Sequence, residues 1–85
     1  MYLIAVFRSL TDTHAFCELL NSIGVRARVE GTPRKADLSC GLCVRFSKDG
    51  FREAEEFIKR RGFASFVGMF EVSKDKVSPY KIDLI

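Results

Sequence analysis

The residues best able to do covalent chemistry in this chain are cysteines: Cys17, and the pair in Ser39-Cys40-Gly41-Leu42-Cys43. A thiolate is the nucleophilic form of cysteine, and a helix N-terminus or nearby Arg and Lys stabilise it. Arg8, Arg34 and Lys35 are the cations that could serve Cys40, with Asp12 working against them. Two readings of Cys40 stand side by side: a reactive thiol, or a small apolar residue at a strand end, where cysteine is commonly buried and inert. The Cys40–Cys43 spacing suggests a redox pair, yet dithiol motifs of that kind sit at a helix start. In an extended segment three steps of about 3.3 Å put the two residues about 10 Å apart, beyond disulfide reach without a kink at Gly41. Zinc is not expected, because no second Cys or His pair stands at ligand spacing. His14 should face solvent and Cys17 should flank a helix without a role. There are no paired carboxylates, no Gly-rich phosphate loop and no Ser/His/Asp constellation.

The elements that must position Cys40 follow from hydrophobic periodicity. Tyr2–Phe7 is a continuous apolar run that reads as a central strand. Thr11, Asp12 and Thr13 are candidate N-caps, and Ala15, Phe16, Leu19, Leu20 and Ile23 define the apolar face of a first helix closed by Gly24. Val25–Glu30 alternates as a half-buried strand. After Gly31-Thr32-Pro33 and a polar connection, Leu42, Val44 and Phe46 point inward while Cys43 and Arg45 point outward. Ser47–Gly50 is a turn into a second helix, with Phe51, Ala54, Phe57 and Ile58 buried. Its acidic start and its basic end, Lys59-Arg60-Arg61, suit the helix dipole. Phe66–Val72 is a fourth strand, and Tyr80, Ile82 and Leu84 alternate weakly as an added edge strand.

The order β-α-β-β-α-β predicts an α+β, ferredoxin-like fold: a four-stranded antiparallel sheet in the order 4-1-3-2 with two helices on one face. That topology draws Phe7-Arg8-Ser9, Thr11–Thr13, Thr32–Gly41 and the basic end of the second helix to one rim. The outer sheet face carries Arg26, Arg28 and Arg45. RNA-binding sheets of this shape stack bases on aromatic residues, and the outward positions of the third strand are Cys and Arg instead, so nucleic acid is not expected as a partner.

The chain has 85 residues, a net charge of +3, 47% apolar residues, three cysteines and two prolines. These values fit one small globular domain. The expected division is residues 1–72 as the domain and 73–85 as a tail that forms an edge strand or a dimer arm. No run is long and apolar enough to span a membrane. The start of the chain reads as a strand rather than a secretory leader, and the odd cysteine count fits a reducing cytoplasm. A domain this small has little stability to spare, so a homodimer is expected.

Phe7-Arg8-Ser9, Ala15, Leu19, Gly24, Thr32-Pro33-Arg34 and Ser39-Cys40-Gly41-Leu42 together resemble the bacterial selenium/sulfur carrier protein-like family, over residues 2–72. The resemblance implies a non-enzymatic carrier that holds sulfur or selenium on Cys40 as a persulfide or perselenide. Arg8, Ser9, Arg34, Ser39 and Gly41 would support it, donor and acceptor proteins would be its partners, and no cofactor would be needed. The chain departs from the family in Cys43, where a small apolar residue is usual, and in its tail. Two other readings remain: a regulatory or protein-interaction module, and a thiol redox protein using Cys40 and Cys43.

Overall fold

The computed structural model describes residues 1–34, 41–74 and 76–82. In chain order the elements are β1 (Tyr2–Phe7), α1 (Leu10–Ser22), β2 (Ala27–Gly31), β3 (Leu42–Phe46), a 3-10 turn at Lys48–Gly50, α2 (Phe51–Arg61), β4 (Phe66–Ser73) and β5 (Lys76–Pro79). The strands form one antiparallel sheet in the order β2-β3-β1-β4-β5. The expected four strands in the order 4-1-3-2 are therefore corrected to five. The fifth is not centred on Tyr80–Leu84. It lies at Lys76–Pro79, where a turn with Lys74 at φ 52 reverses the chain and pairs Val72 with Val77. Tyr80 and Ile82 pack against the main core of the same chain, and Leu84 lies outside the described residues. The segment expected to seek a sheet edge finds one within its own molecule.

Alternation along β1 divides the apolar residues between two clusters. Leu3, Ala5 and Phe7 face the helices, with Val44, Phe46 and Met69 from the sheet and Phe16, Leu20, Ala54 and Ile58 from α1 and α2. Ile4 and Val6 face the other way, with Cys43 and Val72, and Tyr2, Val67, Phe70 and Val77 surround them. At the end of β1 the register with β4 shifts between Val6 and Phe7. Phe7 there joins an aromatic cluster, its ring centroid 5.1 Å from Phe16, 5.3 Å from Phe63 and 5.5 Å from Phe66.

Two helix-level expectations are corrected. The buried face of α1 is Thr13, Phe16, Cys17 and Leu20, whereas Ile23 is 48% exposed. Spacing by three and four residues is kept, but the stripe is rotated. Thr13 can be buried because its hydroxyl donates to the Ser9 carbonyl at 2.9 Å, which removes the penalty for an unpaired polar group. Cys17 therefore belongs to the core rather than flanking it. The second correction is that β2 starts at Ala27, not Val25. Gly24, at φ +89, turns the chain out of α1, and the Gly24 and Val25 amides donate to Asn21 and Leu20 carbonyls at 3.1 and 3.0 Å. Val25 is thus held in the helix exit. The Asn21 side chain then accepts from the Ala27 amide and donates to its carbonyl, each at 3.0 Å, which fixes the first residue of the strand.

The α1–β2 junction packs tightly against the turn before α2. A Cβ at Gly50 would stand 2.5 Å from Val25 Cγ1, a branched side chain with little freedom to withdraw. Gly50→Ala should therefore destabilise the fold by about 1–3 kcal/mol through overpacking. Urea denaturation checks this: the midpoint should fall with an unchanged slope.

Candidate functional site

At the end of β1 the chain passes directly into α1. Ser9 is extended, with φ -92 and ψ 129, and its hydroxyl accepts from the Asp12 amide at 3.2 Å. Its carbonyl accepts from the Thr13 amide at 3.0 Å. Ser9 is thus the N-cap, in place of Thr11, Asp12 or Thr13, and the helix starts at Leu10. The first strand and the first helix are separated by only Arg8 and Ser9, so the positive end of the helix dipole lies beside the strand terminus.

A cavity of about 180 Å³ opens at this junction, lined by Phe7, Arg8, Leu10, Thr13, Gly41 and Leu42. Its inner wall is Phe7, held in place by the aromatic cluster below. The opposite wall is the start of β3, whose position is set by Gly31 pairing with Leu42 and by the Thr32 amide donating to the Gly41 carbonyl at 3.1 Å. This bond closes the base of the connection that carries Arg34, Ser39 and Cys40. Arg8 and Gly41, 33 positions apart in the sequence, therefore line one cavity. Arg34 is exposed and does not line it. Lys35, Ser39 and Cys40 lie outside the described residues.

The electrostatics differ from the sequence expectation in two respects. Asp12 is engaged by Ser65, whose hydroxyl donates to its Oδ2 at 2.6 Å, while the Ser65 carbonyl accepts from the Arg8 amide at 2.9 Å. Ser65 thereby ties the residue before β4 to the end of β1 and to the first turn of α1, beside the cavity. Nothing in its local sequence singled it out, because its role depends on β4 lying beside β1. The basic end of α2 also falls short of the cavity. Arg60 pairs with Glu56 at 2.8 Å, and Arg61 lies in a groove with Thr11, His14 and Glu18 along α1. His14 is exposed, as its position opposite the apolar stripe requires.

The second thiol has a different environment from the one expected. Cys43 does project onto the face away from the helices, but it is fully buried there among Ile4, Val6 and Val72. Burial pushes its thiol up from the ordinary 9.0 to about 11; the Thr32 hydroxyl opposes the shift, the Glu30 carboxylate adds to it and Arg45 opposes it. Among the described residues, Thr32 Oγ1 is itself buried without a full hydrogen bond. Cys17 is also raised, by burial, against a contact from Asn21 Nδ2 at 3.6 Å. Among the described residues no cluster of His, Cys, Asp or Glu could hold a metal ion. No helix there is long and apolar enough to cross a membrane.

The chain belongs to the family described as "Putative Se/S carrier protein-like", whose model matches residues 2–65. The match runs from the start of β1 to the residue before β4. No curated protein and no solved structure matches the chain.

The Cys43 environment makes stability depend on pH in a defined direction. Its thiol ionises near 9.0 when unfolded and near 11 when folded, so the stability it contributes is complete below pH 9 and is lost as pH rises through about 11. Across that window the unfolding free energy should fall by about 1–3 kcal/mol on account of this group. Urea titrations at a series of alkaline pH values should show that slope in the parent chain and a flatter one in Cys43→Ala.

Proposed function

We propose that this domain is a non-enzymatic carrier that holds sulfur or selenium on Cys40 as a persulfide or perselenide. The observation that carries the reading is the cavity shared by Arg8 and Gly41, since Cys40 is the residue immediately before Gly41 in the chain. Membership of the carrier-like family supports the same assignment. The chemistry balances without an external oxidant. The Cys40 thiolate attacks the terminal sulfur of a donor protein's persulfide; a new sulfur–sulfur bond forms, the old one breaks, and the donor leaves as a thiolate. A donor perselenide delivers selenium by the same exchange, and an acceptor thiolate reverses it.

Three features suit an anionic adduct of one heavy atom. Arg8 supplies a fixed positive charge, and the capped N-terminus of α1 supplies the positive end of a helix dipole. At about 180 Å³ the cavity is smaller than the pockets of roughly 300–1,000 Å³ that take organic ligands. A reducing cytoplasm is the compartment in which such a thiol stays available for loading, and donor and acceptor proteins are the partners. The burial of Cys43 and its raised thiol weigh against a Cys40–Cys43 redox pair, because a protonated, enclosed sulfur is a poor resolving nucleophile.

Intact mass after incubation with a persulfide or perselenide donor tests the reading. The parent chain and Cys43→Ala should gain one chalcogen atom, and Cys40→Ser should gain none. Alkylation near neutral pH should modify Cys40 ahead of Cys43, and Arg8→Ala should slow it by several-fold. Equal loss of loading in Cys40→Ser and Cys43→Ala would favour a dithiol unit, and no loading in the parent chain would remove the carrier reading.

A further inference from the structure

A second concave site lies at the opposite end of β1, on the sheet face away from the helices. Its volume is about 430 Å³, and Met1, Tyr2, Arg26, Arg28 and Arg45 are among the residues that line it. The register of β2 against β3 sets Arg28 directly opposite Arg45. Like charges facing across an antiparallel pair cost stability. The neighbouring carboxylate, Glu30, is shared: it stands 3.2 Å from Arg28 Nε and 3.7 Å from Arg45 Nη1. Arg26 forms no ion pair among the described residues. The cavity is therefore under-neutralised, and a bound anion would offset a repulsion that the fold otherwise bears.

Its chemistry is not that of a bare anion site. The Arg45 guanidinium lies over the Tyr2 ring, 3.7 Å from the centroid, an arrangement that holds a planar cation with one face against an aromatic support. The Arg45 side chain remains 36% exposed and that of Arg28 68% exposed, so both are available to a ligand. Guanidinium forks match the oxygen geometry of phosphate, and a stacked guanidinium is a platform for a nucleobase. The sequence alone excluded such a platform because the outward positions of β3 lack aromatic residues. The ring comes instead from Tyr2, at the start of β1.

We infer that this cavity binds a phosphate-bearing nucleotide, either free or as part of a single strand of nucleic acid, with Arg26, Arg28 and Arg45 holding phosphate and the Arg45–Tyr2 stack holding the base. The volume is within the range that takes organic ligands. The inference does not depend on Cys40, and the site is separate from the cavity at Arg8.

Calorimetric titration of the untagged chain with adenosine monophosphate, a short single-stranded oligoadenylate and inorganic phosphate, at fixed low ionic strength, tests it. Both nucleotide probes should bind and raise the melting temperature, and phosphate should bind more weakly than adenosine monophosphate. Much tighter binding of the oligomer assigns the site to strands, and equal binding assigns it to free nucleotides. Arg28→Ala and Arg45→Ala should each weaken nucleotide binding by about tenfold, the scale of one charge-assisted contact. Arg28→Ala should stay close to the parent in stability without ligand, since it removes the like-charge contact with Arg45 together with an exposed ion pair to Glu30. The inference fails if neither nucleotide probe binds, if phosphate accounts for the whole effect, if Arg28→Ala binds as the parent does, or if an acidic peptide displaces the nucleotide and binds more tightly.

Discussion

The arrangement of this domain depends on β1 being buried on both faces while helices cover only one of them. Leu3, Ile4, Ala5 and Val6 have no exposed surface. On the helix side that burial comes from Phe16, Leu20, Ala54 and Ile58. On the other side it must come from within the sheet, and Tyr2, Val67, Phe70 and Val77 lean over the central strand to supply it. β5 matters for this reason. By pairing Val77 with Val72 it extends the apolar cover and satisfies the outer edge of β4, which would otherwise present unpaired backbone groups to other chains.

The same constraint shapes the two concave sites. At the C-terminal end of β1 the strand stops in the aromatic cluster around Phe7, and the next two residues turn into the capped start of α1. A rigid floor and a helix N-terminus thus meet with no loop between them. The Asp12–Ser65–Arg8 connections brace this junction through side-chain and backbone hydrogen bonds. At the N-terminal end, Tyr2 is the last apolar residue able to shield the sheet face. Its ring is completed as a cover by Arg45, whose aliphatic stem and planar head can lie along apolar surface while remaining partly hydrated. One end of the strand is therefore a small pocket beside a helix, and the other a broader basic cleft.

Cys43, which follows Gly41 and Leu42, shows how far placement governs thiol chemistry. Cys43 sits beneath the side chains that shield β1, so its sulfur behaves as part of an apolar cluster. Cys40 precedes a glycine that lines a cavity shared with an arginine. The two positions are three apart in the sequence, and the chemistry proposed for Cys40 is opposite in kind to that of the enclosed Cys43 sulfur.

Much of this was legible in the sequence. Strict alternation in Ala27–Gly31 and Leu42–Phe46, the apolar run Tyr2–Phe7 and the polarity of α2 reflect local periodicity, and a strand or helix must obey it whatever its neighbours. From the element order alone, Phe7-Arg8-Ser9 and Gly41 had to share one end of the sheet. Decisions that depend on contacts between distant segments were not legible. Cys17 is a core residue because it packs with Leu3, Ala5 and Val44 of the sheet in the main cluster. Cys43 is enclosed because β4 and β5 bring Val72 and Val77 across the open face. Ser65 acts on Asp12 because β4 lies against β1, and Tyr2 supports Arg45 because β1 lies against β3. Periodicity reports which face of an element a residue occupies; what covers that face is fixed only when the chain closes on itself.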